Sequence, residues 1–297
     1  MRKLIVILAI LSASIEPIIV KLGYNNFKNI EPLQIIVIKN LVGFLVFVII
    51  AFFNYLVLKK FRLLKLKEIL EISKVAFLLL FTTSMTIVSL KFIPAIIMLT
   101  IYTTTPLFVA LANSLIKKTE KIDIKFFIGF TLAFVGVSLT IGLYNFLFNL
   151  FNLFNLSESL NLLGVFFAFL GVLSSTTYRT TLDYLTSKYT PFVVSNYIFL
   201  INGIFIFLFV FPFIFKDLQL GSILVGIYGG ISGSIANIAF LYALNILGST
   251  NVSLLNMLNQ PTVILLSAII LKEKLSIYQI IGIILTILGI NIARKNK

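Results

Sequence analysis

The sequence predicts an all-α polytopic membrane protein, with ten transmembrane helices arranged as two inverted five-helix repeats. Three observations lead there. Of the 297 residues, 60% are hydrophobic and only 11% charged, with a mean hydropathy of +1.11, which is far from the balance of a soluble domain. The apolar residues come in runs of about 20, the length a helix needs to cross the hydrocarbon core. A pattern near the C-terminus also occurs earlier. It reads Gln260-Pro261, an apolar run, Leu271-Lys272-Glu273-Lys274-Leu275, then an apolar run carrying Gly282 and Gly289. Its earlier copy reads Thr105-Pro106, an apolar run, Lys117-Lys118-Thr119-Glu120-Lys121, then a run carrying Gly129 and Gly136. The prolines are 155 positions apart and the glycines 153. The offset fits a diverged duplication with about two extra residues in the first charged connector.

Composition also excludes function classes. The net charge of +14 sits in short connectors rather than on one face, so nucleic acid is not expected as a partner. The chain has no Cys and no His, which removes thiolate and imidazole metal ligands, cysteine nucleophiles and the commonest general base. No Walker A loop or His-Glu-x-x-His motif occurs. No enzyme activity, cofactor or metal is expected. Met1-Arg2-Lys3 before an apolar run resembles a signal peptide, but the run continues past Glu16 without a small-x-small cleavage site, so it reads as a first span.

The spans in order are 4–23, 33–57, 72–91, 94–116, 124–143, 161–180, 191–213, 222–245, 250–270 and 276–293. They divide five plus five around the 144–160 connector, giving a first repeat at 3–143 and a second at 161–293. With the N-terminus in the cytoplasm, 17 Lys and Arg fall inside and 6 outside. This bias predicts a multi-pass cell-membrane protein with both termini cytoplasmic. The connector Lys272-Glu273-Lys274 lands outside although its counterpart at 117–121 lands inside. Five spans is an odd number, so the two repeats must insert in opposite orientations. Asn145, Asn149, Asn152 and Asn155 fall roughly on one helical face of the connector, which reads as a short interfacial helix or as a low-complexity linker.

Ionisable groups in hydrocarbon are expensive, and each is a functional candidate. Glu16 lies about 18 Å along the first helix, roughly 10 Å below the outer surface of a core about 30 Å thick. Pro17 follows it and favours a kink. Lys39 on the second span lies at matching depth, so the two read as a pair facing an internal cavity, either functional or a structural salt bridge. Arg179 and Asp183, four apart at the inner end of the sixth span, read as an interfacial i,i+4 pair. Among uncharged polar residues, Thr82, Thr86 and Ser89 follow helical spacing on the third span. Tyr102 and Thr103 to Thr105 occupy the fourth. Asn196 and Asn202 mark the seventh, and Ser234, Asn237 and Asn245 nearly share a face of the eighth. Ser253, Asn256, Asn259 and Gln260 form one stripe on the ninth. Buried carboxamides need partners or water, so this stripe is expected to line a polar cavity. The candidate substrate-binding set is Glu16, Lys39, Tyr102, Asn237, Asn256, Asn259 and Gln260. The fifth and tenth spans lack such stripes. Their glycines at seven-residue spacing suggest close helix packing, within the bundle or between subunits.

The two echoing stretches resemble the closing signature of the EamA domain of the drug/metabolite transporter superfamily. Pro261, Glu273, Gly282 and Gly289 fit that signature, as do Pro106, Glu120, Gly129 and Gly136. The resemblance covers nearly the whole chain as two tandem domains. It implies a central cavity among spans one to four and six to nine, with spans five and ten as support. It also implies export or exchange of small organic metabolites, such as amino-acid-like solutes, by alternating access. The family's aromatic cavity is often Trp-rich, and this chain has no Trp, leaving Tyr102, Tyr178, Tyr197 and Tyr242 for that role. The expected partners are the lipid bilayer and a small-molecule substrate. Coupling to a proton or ion, and a homodimer, stay open. The competing readings are an organic-anion or nucleotide-sugar-type exchanger that uses Lys39 and a non-transporting membrane scaffold.

Overall fold

The computed structural model describes residues 2–27, 30–56, 64–90, 92–93, 95–143, 161–214, 218–270, 272 and 274–294; the side chains of some helical residues, Glu16 among them, lie outside the described set. Every regular element among these residues is helical. In chain order they are α1 (Arg2–Asn26), α2 (Pro32–Leu56), α3 (Leu66–Leu90), α4 (Ala95–Tyr102), α5 (Thr105–Leu111), a π-helical turn (Ala112–Ile116) and α6 (Ile124–Thr140). Then come α7 (Leu162–Lys188), α8 (Pro191–Phe209), α9 (Phe211–Ile214), α10 (Leu220–Leu247), α11 (Ser249–Leu255), a 3-10 turn (Asn256–Leu258), α12 (Asn259–Ile270) and α13 (Ile277–Ala293). Among the described residues, seven segments are long and apolar enough to span a bilayer: Leu33–Phe53, Leu66–Thr86, Ile97–Ile116, Leu162–Lys188, Pro191–Phe209, Leu220–Leu247 and Ser249–Ile270. Ile124–Thr140 and Ile277–Ala293 are shorter apolar helices. The chain is therefore a polytopic helical membrane protein. The 144–160 connector lies outside the described residues.

Local chemistry sets the helix ends. The Asp123 carboxylate accepts from Phe126 N at 3.0 Å and starts α6. Ser276 starts α13 with a capping box, accepting from Gln279 N at 3.2 Å while Gln279 Oε1 accepts from Ser276 N at 2.9 Å. Thr190 caps α8, with Pro191 in the first turn. At the start of α3, Glu68 accepts from Lys65 N at 2.8 Å. That last cap explains one departure from the predicted spans. α3 begins at Leu66 rather than 72 because its first turn is charged, and hydropathy does not see charged turns. α7 likewise runs to Lys188, not 180. Its buried stripe Tyr178, Leu182, Leu185 and Tyr189 continues at helical spacing past the point where hydropathy falls.

The chain forms two compact units, Met1–Phe77 with Tyr184–Ile246, and Leu78–Asp183 with Leu247–Lys297. In the first, α2 packs on α8. Phe47 and Phe199 stack with centroids 4.6 Å apart, and Asn196 Nδ2 donates to the Phe47 carbonyl at 3.0 Å. At one end of this unit Lys188 Nζ meets Glu71 Oε2 at 2.6 Å, and Leu64 N donates to Tyr197 Oη at 3.1 Å.

The second unit holds the antiparallel pair α6 and α13, whose backbones touch through glycines. A Cβ on Gly129 would lie 2.5 Å from the Gly289 carbonyl oxygen, and one on Gly136 would lie 2.5 Å from Thr286 N. The converse holds: Cβ atoms on Gly282 and Gly289 would lie 2.6 Å from the carbonyls of Gly136 and Gly129. These four glycines therefore serve packing within the chain.

Candidate functional site

The fourth and ninth predicted spans each lose regular α-helical bonding near a proline while the backbone stays helical, and these breaks in regularity share a cause. Pro106 has no N–H to give the carbonyl four residues back, that of Tyr102. α4 ends at Tyr102 and α5 begins at Thr105. Side chains then do what the backbone cannot. Thr103, Thr104 and Thr105 each donate a hydroxyl to the carbonyl three residues back, on Thr100, Ile101 and Tyr102, all at 2.6 Å. Pro261 withholds a donor from Met257 in the same way. There the chain tightens into the 3-10 turn Asn256–Leu258, with Asn259 N donating to the Asn256 carbonyl. The two broken stretches, around Tyr102 and around Asn256, are 154 positions apart.

Both breaks face one cavity of about 240 Å³ in the second unit. It is lined by Thr86, Met98, Leu99, Tyr102, Thr103, Thr105, Pro106, Arg179, Ser253, Asn256, Met257, Asn259 and Gln260. Tyr102 is held at its rim by an exchange between hydroxyls. Its Oη lies 2.5 Å from Thr86 Oγ1, and Thr82 on the same helix bonds Ser174 of α7 at 2.9 Å. Gly171 on α7 makes room for that hydroxyl, since a Cβ there would lie 1.9 Å from Tyr102 Oη.

Arg179 supplies the cationic side chain of the cavity lining. Its Nε donates to Ser175 Oγ at 3.3 Å and its Nη1 to Ser253 Oγ at 3.5 Å. The Asn256 amide, oriented with its oxygen toward the guanidinium, accepts from Nη1 at 2.6 Å and Nη2 at 3.2 Å. This corrects the placement of Arg179 at a span end. With α7 running to Lys188, Arg179 stands nine residues inside the helix, about 14 Å from its end. Asp183 also reaches α11. Its Oδ2 accepts from Ser249 N at 3.2 Å and Ser249 Oγ at 3.0 Å, holding the first turn of α11. Asn113 of the π-helical turn donates to Ser249 Oγ at 2.8 Å and Thr250 Oγ1 at 2.9 Å at the same place.

Of the seven residues singled out by sequence, Tyr102, Asn256, Asn259 and Gln260 line this cavity. Asn237 lies in the first unit, where its Oδ1 accepts from Ser195 Oγ at 2.6 Å. Lys39 is half-buried on α2 of that unit. Glu16 lies within α1, but its side chain is outside the described residues, so the expected Glu16–Lys39 pair is too. Sequence reasoning missed Arg179 as a lining residue. The stripe Tyr178, Leu182 and Leu185, which carries α7 past 180, was the signal that could have found it.

The chain matches the EamA-like transporter family in two blocks, residues 3–142 and 162–294. Among solved structures, 28 chains match. One, a crystal structure of a protein 15% identical in sequence, superposes with a TM-score of 0.72 over 98% of this chain and 96% of that chain. At that identity the likeness is one of fold. No curated protein matches the sequence. Two family blocks that together take in nearly every residue, on an all-helical framework with apolar spans, place this chain in the EamA-like transporter family, a family of drug/metabolite transporters rather than enzymes.

Proposed function

We propose that the protein is a secondary active transporter of small organic metabolites, amino-acid-like or related solutes, which it exports or exchanges by alternating access. The observation that carries this reading is one cavity in the second unit where Tyr102, Thr103 and Thr105 beside Pro106 meet Arg179, Asn256, Asn259 and Gln260. In transporters, irregular stretches of helix lining a cavity expose polar groups to a solute. A purely structural bundle gains nothing from gathering carboxamides and a guanidinium around a cavity.

Ten spans in two inverted repeats, 3–143 and 161–293, fit the same reading. The α6–α13 contacts support it by their reciprocity. The 153-residue offset converts Gly129 into Gly282 and Gly136 into Gly289, and the contact of Gly129 with Gly289 becomes that of Gly282 with Gly136. Antiparallel helices related in this way share a two-fold axis across their length, as inverted repeats do. The connectors match too, with Lys118 at φ 53° and Lys272 at φ 55°. The solute-facing set is Tyr102, Asn256, Asn259 and Gln260 from the cavity. Glu16, Lys39 and Asn237 are proposed on their sequence positions alone. The protein resides in the cell membrane with both termini cytoplasmic.

Counterflow of labelled amino acids in proteoliposomes tests the reading. Wild-type protein accumulates label against preloaded unlabelled solute, and Asn256→Leu does not. Counterflow no faster than in protein-free liposomes contradicts it. The native chain has no cysteine, so topology is tested by single labelling sites. Ser276→Cys reacts with an impermeant reagent from outside the cell and Thr119→Cys only from inside; labelling from the same side rules out inverted repeats.

A further inference from the structure

We infer that one end of the α6–α13 pair binds an anionic phospholipid, with the phosphate at Lys125 and Arg294 and an acyl chain along the outer face of α6. The two helices run antiparallel, and a Cβ on Gly129 would collide with the backbone of Ala293. That contact brings Arg294, which follows α13, to the same end as Lys125, the second residue of α6 and one turn before Gly129. The connector leading into α6 adds Lys118 and Lys121 there, and all four cations are exposed. Lys117 is turned inward instead and donates to the Thr180 carbonyl. The carboxylates of the same connector are Glu120, which is half-buried, and Asp123, whose Oδ1 accepts from Phe126 N as the cap of α6. Together these groups leave the end net cationic. The connector at the opposite end of the pair holds Lys272 and Lys274 around Glu273, a smaller excess.

Next to that end α6 carries an apolar groove of about 440 Å³, lined by Phe127, Ile128, Thr131, Leu132 and Val135. It lies between two rows of side chains spaced four apart, Phe127-Thr131-Val135 and Ile128-Leu132, the furrow that helical geometry leaves between such ridges. Lys125, Ile128, Leu132 and Val135 follow helical spacing, so the cation shares the face of the groove. From Phe127 to Val135 the groove runs about 12 Å, close to half of a hydrocarbon core about 30 Å thick. A cationic head above an apolar furrow one leaflet deep matches a phospholipid; a free phosphate has no use for the furrow and a neutral lipid none for the cations. Basic sites beside apolar helix surface are how membrane proteins hold anionic headgroups. A second copy of this chain fits the face less well. Two copies in one membrane are related by a two-fold axis along the membrane normal, so pairing here brings like-charged ends together.

Native mass spectrometry of the full chain, purified in detergent and supplied with defined lipids, tests this. Phosphatidylglycerol is compared with phosphatidylcholine of identical acyl chains and with glycerol phosphate, which has the anion without the chains. Phosphatidylglycerol is expected to bind at least tenfold more tightly than either. Combining Lys121→Gln, Lys125→Gln and Arg294→Gln reduces its preference over phosphatidylcholine to less than threefold. Lys272→Gln with Lys274→Gln, which removes cations from the opposite end, leaves the preference unchanged. Ile128→Trp fills the groove, keeps every cation and weakens phosphatidylglycerol binding threefold or more. The inference is overturned if the two lipids bind alike in the wild type, if glycerol phosphate binds as tightly as phosphatidylglycerol, if the triple variant keeps the preference, if the opposite-end variant loses it, or if Ile128→Trp binds as the wild type does. A lipid-free dimer that Ile128→Trp dissociates assigns the groove to a second copy and overturns it too. The wild-type comparison of the three ligands stands even if a variant fails to fold.

Discussion

Two places in the second unit use small or flexible features of a helix in opposite ways. At the α6–α13 pair, glycines bring backbone against backbone, and the threonine hydroxyls there are turned back on their own helices, Thr140 to the Gly136 carbonyl and Thr286 to that of Gly282, both at 2.8 Å. At the cavity, prolines disturb the regular bonding of the helices, and carboxamides and a guanidinium line the space beside them. The first interface is buried, and the second lines a cavity. The stretch that identifies the family, from Glu273 to Gly289, belongs mostly to the first. The stretch just before it, from Asn256 to Gln260, belongs to the second.

The same substitution at two glycines separates these roles. Gly136→Ala places a methyl 2.5 Å from Thr286 N and 2.7 Å from the Gly282 carbonyl, atoms that move only if a helix moves. We expect a loss of about 3 kcal/mol, the upper end for overpacking, read as a lower thermal midpoint or as failure to purify folded protein. Gly171→Ala meets the tip of Tyr102 instead, which can swing away. A smaller loss of about 1 kcal/mol is expected, with solute affinity falling more than stability. Equal costs at the two positions erase the contrast.

A third prediction concerns the break itself. Thr105→Val removes the donor that satisfies the Tyr102 carbonyl and costs about 1 kcal/mol, the value of one such hydrogen bond. In a Pro106→Ala background an amide becomes available to that carbonyl, so the same change costs close to nothing. A thermal-unfolding double-mutant cycle measures the difference, and additive effects would show that Thr105 does not stand in for the missing amide. The smallest effect is expected in the first unit. Lys188 and Glu71 pair where their side chains are 38% and 42% exposed, and Lys188→Gln leaves the thermal midpoint unchanged within error, because exposed pairs contribute little.

Much of this was legible in the sequence. Apolar runs located the spans, because only helices satisfy their own backbone in hydrocarbon. The glycine spacing foretold close packing of the fifth and tenth spans, leaving open whether the partner was another chain. The polar stripe from Ser253 to Gln260 pointed to residues that line one cavity. The breaks in regularity were not legible from hydropathy, because Thr103 to Thr105 and the 3-10 turn at Asn256 change the hydrogen-bond pattern without interrupting the apolar run. Pro106 and Pro261 marked the places, but proline in a membrane helix does not always break it. Arg179 was misplaced because hydropathy ends the sixth span at 180, which moved the guanidinium from the interior of a 27-residue helix to its edge. Tyr102 and Arg179 come from spans that are not adjacent in sequence, and only the fold shows that they share a cavity.

The most direct test of the account compares water access at the two places. In an otherwise cysteine-free chain, Gln260→Cys puts a thiol in the cavity wall, and Thr286→Cys puts one in the α6–α13 interface, where the native side chain is 0% exposed. Both variants are treated in nanodiscs with the water-soluble reagent 2-sulfonatoethyl methanethiosulfonate, and modification is followed by mass spectrometry. The account predicts that the thiol at 260 is modified in the folded protein and the thiol at 286 only after unfolding. Equal modification of the two, or protection of both, would contradict it.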